Sequence, residues 1–161
     1  MRTQTIKINK MEKYHFFWNG RLSNWAFSLF IVDGITFNCG EQYMMYMKAI
    51  TFNDTEIADM IMKESNPKAI KGYGRMVRNY DDSVWRKVRY KIVKDGLKQK
   101  FLQNEDARKE LLKYKGMTIV EASPYDRIWG IGYSEKSAMD NIDNWGENLL
   151  GKILTEISNE I

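Results

Sequence analysis

The side chains able to do chemistry are concentrated in a few short stretches of this chain. From Glu121 to Gly132 the run Glu-Ala-Ser-Pro-Tyr-Asp-Arg-Ile-Trp-Gly-Ile-Gly places two carboxylates, a hydroxyl, an indole and two glycines together. That mixture suits a ligand pocket: aromatic faces stack on flat rings, glycines admit close backbone approach, and a carboxylate beside an indole can be tuned for acid–base work. Glu41 and Lys48 form a second group, seven residues apart. On a helix this spacing puts both on one face, about 10 Å apart along the axis. Met44, Met45 and Met47 would be their apolar neighbours, although an unrelated surface Glu and Lys would show the same spacing. Leu22-Ser23-Asn24-Trp25 reads as a polar loop with one aromatic, its Ser and Asn serving either turn backbone or a ligand. Lys71-Gly-Tyr-Gly-Arg75 combines glycines with cations as a phosphate cradle does, without the full spacing of a P-loop or a dinucleotide fingerprint.

The elements that must carry these groups follow from local patterning. Tyr14-His-Phe-Phe-Trp18 is strand-like, Asn19-Gly20 is a turn signal, and residues 27 to 38 read as a hairpin about Asp33-Gly34, so small antiparallel strands are expected to open the fold. Helical patterning begins near Glu41, after Gly40, and recurs near 54 to 64, 67 to 78, 82 to 101 and 105 to 115. In the fourth of these Trp85, Val88, Ile92 and Val93 keep helical spacing, with Lys and Arg on the other face. A strand near Met117 to Glu121 leads into the carboxylate-rich segment. A final helix is expected to start at an Asn144 cap with Glu147 completing a capping box, and Leu149, Leu150, Ile153, Leu154 and Ile157 mark its core face. The expected fold class is α+β: a mainly helical single domain over 1–161 with a small antiparallel sheet. Its pocket is expected between the Glu41 helix and the loop after Glu121.

Composition narrows the function classes. With 161 residues, 43% of them hydrophobic and 29% charged, the chain supports one well-buried core and is not of the disordered type. One cysteine, Cys39, excludes an internal disulfide and any multi-cysteine zinc site, and with His15 as the one histidine no metal or other cofactor is expected. No apolar run approaches a membrane span and the first ten residues lack an apolar signal core, so cytoplasmic residence without membrane association is the default expectation. Residues 81–116 hold eleven Lys or Arg against six Asp or Glu. Such a stretch attracts an anionic ligand or, more commonly, is a solvated helix face.

Taken in order, the motifs form a recognisable set. They are Leu22-Ser-Asn-Trp25; Phe37 with Glu41-Gln-Tyr-Met44 and Lys48-Ala49; Gly74-Arg75-Met-Val77; Trp85 with Arg89; and Lys100-Phe101 with Gln103-Asn104. Toward the end come Glu121-Ala-Ser-Pro124 with Asp126, Trp129-Gly130 and Gly132, then Gly146, Asn148 and Leu150-Gly151. With this set the chain resembles the NADAR family, the NAD- and ADP-ribose-associated domains, over roughly residues 16 to 155. Gln42 stands where many members carry His after the Glu, a departure that bears on any proton shuttle at that position.

The resemblance implies cleavage of the bond between a ribose anomeric carbon and a nitrogen. Its implied substrates are ribosyl-phosphate or ADP-ribosyl compounds, including ADP-ribosylated guanine in DNA. Matched position by position, it makes Glu41, Lys48 and Asp126 the catalytic candidates. Glu41 would stabilise an oxocarbenium-like sugar or activate water. Lys48 would hold a ribose hydroxyl or phosphate, or attack an opened ribose as an amine. Asp126 would share the acid–base work or hold ribose hydroxyls. Substrate contacts are expected from Ser23, Asn24, Trp25, Arg75, Arg89, Ser123, Trp129, Gly130, Gly132 and Asn148, with the indoles stacking and the arginines meeting phosphate. For Arg89 a buried carboxylate partner is the alternative, and for Asn148 a backbone cap. Two other functions fit the sequence: a binding module that sequesters an ADP-ribose-type nucleotide uncleaved, and a nucleic-acid-binding protein using the basic stretch.

Overall fold

The computed structural model describes residues 13–161, and these divide into two compact units. One runs from Ser23 to Arg108; the other joins the residues through Leu22 to Lys109–Ile161. The chain is mainly helical with two small sheets, as its patterning requires. No helix among the described residues is long and apolar enough to cross a membrane.

In the Ser23–Arg108 unit, β2 (Phe30–Val32) and β3 (Ile35–Phe37) form the expected hairpin, with Phe30 opposite Phe37 and Val32 opposite Ile35. Asp33 and Gly34 take φ of 50° and 79°, the left-handed pair that a two-residue turn needs for its twist to match the strands. Gln103 lies along the outer side of β2: its Oε1 accepts from Ile31 N at 2.7 Å and its Nε2 donates to Ile31 O at 2.8 Å. Asn104 Nδ2 likewise donates to Leu29 O at 2.8 Å. Phe30, Phe37 and Tyr43 make an aromatic core, and Tyr43 Oη donates to Ile92 O at 2.9 Å.

Helix α1 (Gly40–Thr51) packs against α2 (Thr55–Met62), α3 (Pro67–Gly74) and α4 (Asp82–Gln103). Each start has a local cause. Cys39 Sγ accepts from Gln42 N, Asp54 from Ile57 N, Asn66 from Lys68 N ahead of Pro67 at the first turn, and Asp81 from Ser83 N. The Lys71–Arg75 segment is not a loop cradle: it is the end of α3. Gly74 serves packing there, since an added Cβ would fall 1.9 Å from Met45 Sδ. Trp85 and Phe101 are buried, as their helical spacing suggested. Helix α5 (Glu105–Leu112) follows α4 and crosses the boundary between the units.

In the other unit the Tyr14 strand does not join an antiparallel sheet. β1 (Tyr14–Phe17) pairs in parallel with β4 (Thr118–Glu121), in the register Tyr14 to Thr118 and Phe17 to Glu121. An alternating aromatic strand carries no mark of which direction its partner runs, and parallel partners are necessarily remote in sequence. Helix α6 (Glu135–Ala138) and a 3-10 segment (Met139–Asn144), neither expected from the sequence, precede α7 (Leu149–Glu160). Val120, Ile131 and Ala138 form a buried cluster flanked by Tyr14, Phe16 and Trp145. Along α7, Leu150, Ile153, Leu154 and Ile157 are fully buried, each contributing about 1.5–3 kcal/mol relative to exposure.

The expected Asn144 cap is not used. Asn144 ends the 3-10 segment, and α7 begins at Leu149 after Asn148, whose backbone is left-handed at φ 53°. The orphan N–H groups at the head of α7 find carbonyls of the carboxylate-rich segment instead. Asn148 N bonds Gly130 O, Leu149 N bonds Ile128 O and Leu150 N bonds Trp129 O, at 3.1, 3.0 and 3.1 Å. A tertiary cap has replaced a local one.

Candidate active site

Glu41 lies in the first turn of α1, where the positive end of the helix dipole complements a carboxylate. It is only 5% exposed. The Ser23–Trp25 stretch folds onto this end of the helix. Glu41 N donates to Asn24 O at 2.9 Å, and Trp25 Nε1 donates to Glu41 Oε1 at 3.2 Å. Ser23 Oγ accepts from Trp25 N at 3.1 Å, the turn-forming use of a serine. Asn24 is buried, and its Oδ1 meets no hydrogen-bond donor. A buried polar atom without a partner costs free energy unless a ligand or water supplies one.

Lys48 lies two turns along α1, half buried. Burial holds its pKa below the ordinary lysine value; Arg75 pushes the same way, while Glu41 and Asp82 oppose both. Those influences put Lys48, Glu41, Arg75 and Asp82 in one electrostatic neighbourhood. Lys48 Nζ stands 4.6 Å from the centre of the Tyr80 ring. Burial, and then the hydrogen bond to Asp82, push the Tyr80 phenol up to about 12, and Arg89 acts against that rise. Arg75 is exposed at the end of α3, whereas Arg89 is buried in α4. Glu41, Lys48, Trp25, Arg75 and Arg89 thus belong to one region of the Ser23–Arg108 unit. Gln42 is occupied by structure: its Oε1 accepts from Asn38 N at 2.8 Å and its Nε2 donates to Ile61 O at 3.1 Å.

One residue here, Tyr80, escaped the sequence reading, and another, Lys100, entered it only as part of the motif set. Tyr80 reads as an isolated loop aromatic, and only its three-dimensional place beside Lys48 marks it. Lys100 belongs to the basic stretch, yet it is fully buried and donates from Nζ to Ser23 O at 3.2 Å. Burial, partly offset by Cys39, brings its pKa down to about 8. The basic run is therefore not simply a solvated face, since Arg89 and Lys100 both point inward.

In the other unit, the carboxylate-rich segment is fixed by its own side chains and by the head of α7. Asp126 Oδ1 accepts from Ile128 N at 2.8 Å and from Trp129 N at 2.9 Å. Ser123 Oγ accepts from Tyr125 N at 3.3 Å. Gly130 has to be glycine, because an added Cβ would sit 2.9 Å from both Glu121 O and Glu121 Oε2. Gly132 takes φ 79°. Asn148 commits both ends of its amide to β4: Oδ1 accepts from Glu121 N at 3.0 Å and Nδ2 donates to Ile119 O at 3.1 Å. Trp129 is half buried, with Tyr125 and Ile128 exposed around it.

Comparison with known proteins bears directly on this geometry. The NADAR domain family profile matches residues 11–161. An N-glycosidase of Acanthamoeba polyphaga mimivirus is 47% identical over 122 residues, covering 74% of this chain and 72% of the viral protein. Protein irg-1 of Caenorhabditis elegans is 38% identical over 131 residues, covering 79% of this chain and 62% of the worm protein. The solved structure of the Escherichia coli protein YbiA superposes with a TM-score of 0.73 at 26% identity, covering 93% of this chain and 85% of that one.

Proposed function

Since the chain belongs to the NADAR domain family and its relatives include named N-glycosidases, it is an N-glycosyl hydrolase, and we propose that it acts on ribosyl-phosphate or ADP-ribosyl compounds. In this reading the bond between the ribose anomeric carbon and a nitrogen breaks. Water oxygen is added to the carbon and a proton to the departing nitrogen. The carrying observation is the buried Glu41 carboxylate, held at a helix amino end by the Trp25 indole in the neighbourhood of the Lys48 amine.

Glu41 stabilises the positive charge that develops on the sugar or takes the proton of the attacking water. The Trp25 indole N–H holds the carboxylate through Oε1. Lys48 contributes a cation for a phosphate or a ribose hydroxyl, with Arg75 adding charge beside it. For Asp126, whose Oδ1 already carries two backbone hydrogen bonds, these bonds favour a holding role over proton transfer.

The test is a substrate panel of an oligonucleotide bearing ADP-ribosylated guanine, a ribosylaminopyrimidine phosphate, and NAD-derived nucleotides. Release of the free base or amine by the wild type, with Glu41→Gln inactive, is the expected result. No turnover on any member of the panel, or full turnover by Glu41→Gln, overturns it. Calorimetry with ADP-ribose that ends with intact ligand would mark a sequestering module instead.

A further inference from the structure

The segment between α3 and α4 is held in an unusual way. Arg78 closes on the buried Asp54 carboxylate through its backbone N at 2.8 Å, Nε at 3.1 Å and Nη2 at 2.7 Å. The same carboxylate caps α2 by accepting from Ile57 N at 3.2 Å. One side chain therefore ties this segment to the start of a neighbouring helix. Asn79 follows with φ 60°, a left-handed conformation that costs energy for any residue other than glycine and that clusters at functional sites. This reversal delivers Tyr80. The ring is 41% exposed, Oη donates to Asp82 Oδ1 at 2.6 Å, and Phe52 meets the ring in an edge-like contact with centroids 5.3 Å apart. Lys48 Nζ lies 4.6 Å from the same ring's centre.

We infer that Tyr80 is a positioning residue for Lys48: its ring holds the amine in place for the reaction, and the Asp54–Arg78 clamp with the turn at Asn79 holds the ring. This rests on the reading that Lys48 serves catalysis. A lysine stem has many rotatable bonds and one point charge at its end, so a functional amine needs something to confine it. An aromatic face does so without the strong neutralising pull of a carboxylate, and attracts the cationic form by its quadrupole. The groups facing Lys48 are Glu41 from its own helix, Arg75 from the end of α3, Tyr80 from the segment, and Asp82 from the start of α4. Among these, Tyr80 alone is neutral, so it confines the amine without forming an ion pair with it.

The experiment has a part that needs no substrate. In wild-type protein, ring current should move the Lys48 ε-methylene protons upfield of those of other lysines. Tyr80→Phe should keep that shift and Tyr80→Leu should abolish it. Labelling of Lys48 by acetic anhydride at pH 8, referenced to the exposed Lys91, should rise about two- to fivefold in Tyr80→Leu and stay unchanged in Tyr80→Phe, because loss of the ring favours the free amine. With a turned-over panel substrate, Tyr80→Leu should lose mainly kcat and Tyr80→Phe should stay near wild type. An unshifted Lys48 resonance in the wild type overturns the inference even if Tyr80→Leu fails to fold, and so does equal labelling in all three proteins. Full activity in Lys48→Ala overturns the catalytic reading of Lys48 and the catalytic consequence of Tyr80 with it. The upfield shift would then stand as a purely structural contact.

Discussion

The indole N–H of Trp25 donates to Glu41 Oε1 across 3.2 Å, joining a loop aromatic to a buried carboxylate sixteen residues away. A hydrogen bond to a charged acceptor is worth about 1.5–3 kcal/mol, and here it also orients the carboxylate. Trp25→Phe keeps the ring and removes the donor. The expected outcome is a fall in kcat of about tenfold or more together with a stability loss of about 1.5–3 kcal/mol, read from steady-state kinetics beside a denaturant melt.

His15 predicts an acid limit to stability. Its ring stacks on Tyr114 with centroids 3.4 Å apart and planes 8° from parallel. Burial lowers its pKa, against the opposing charges of Glu110 and Glu135. The folded state therefore favours the neutral ring, while the unfolded chain binds a proton near the ordinary value of 6.5. The contribution is whole above that pH and is lost as pH falls through the depressed folded value. Melting temperature should drop between pH 7 and pH 5, and His15→Phe should flatten that part of the curve.

Lys100 predicts a slope of the same sign at high pH. Its folded pKa of about 8 lies below the ordinary 10.5, so the folded protein sheds this proton first. Stability should rise with pH between those two values, because there the unfolded chain binds more protons. Lys100→Met should remove the rise, as followed by denaturant melts at pH 8 and pH 10. A rise that persists would assign it to another group.

Asn148 separates structure from substrate binding. Its side chain bonds Glu121 N and Ile119 O, and its backbone is left-handed. Asn148→Ala should cost about 2–4 kcal/mol through two unsatisfied backbone groups and an unfavourable φ. Asn148→Gly relieves the φ alone and should recover only part of that loss. A variant that melts like the wild type but shows a raised KM would instead make Asn148 a substrate contact.

Much of the site was legible where its cause is local. Glu41 and Lys48 announce their helix by a breaker followed by good helix formers, and Asp33-Gly34 announces its hairpin by turn chemistry. What stayed hidden depends on partners distant in sequence. Tyr14 pairs with Thr118 in parallel, and Asn148 caps nothing with its side chain because β4 claims it. Lys100 looks like one more cation on a basic helix until the Ser23 carbonyl meets it. Asn144 and Glu147 have the spacing of a capping box, but the carbonyls of Ile128, Trp129 and Gly130 reach the head of α7 instead. Tyr80 gains its meaning only from the clamp that turns it toward Lys48.

The Gln103 amide beside Ile31 has a consequence for how copies of this protein behave toward each other. Phe27, Leu29 and Ile31 expose apolar side chains along that side of the hairpin, a composition that invites strand-to-strand recruitment. By answering both backbone groups of Ile31 with one side chain, Gln103 leaves an incoming strand no register to copy there. Together with Asn104 on Leu29 O, this glutamine acts as a molecular end-stop on a sheet of two strands.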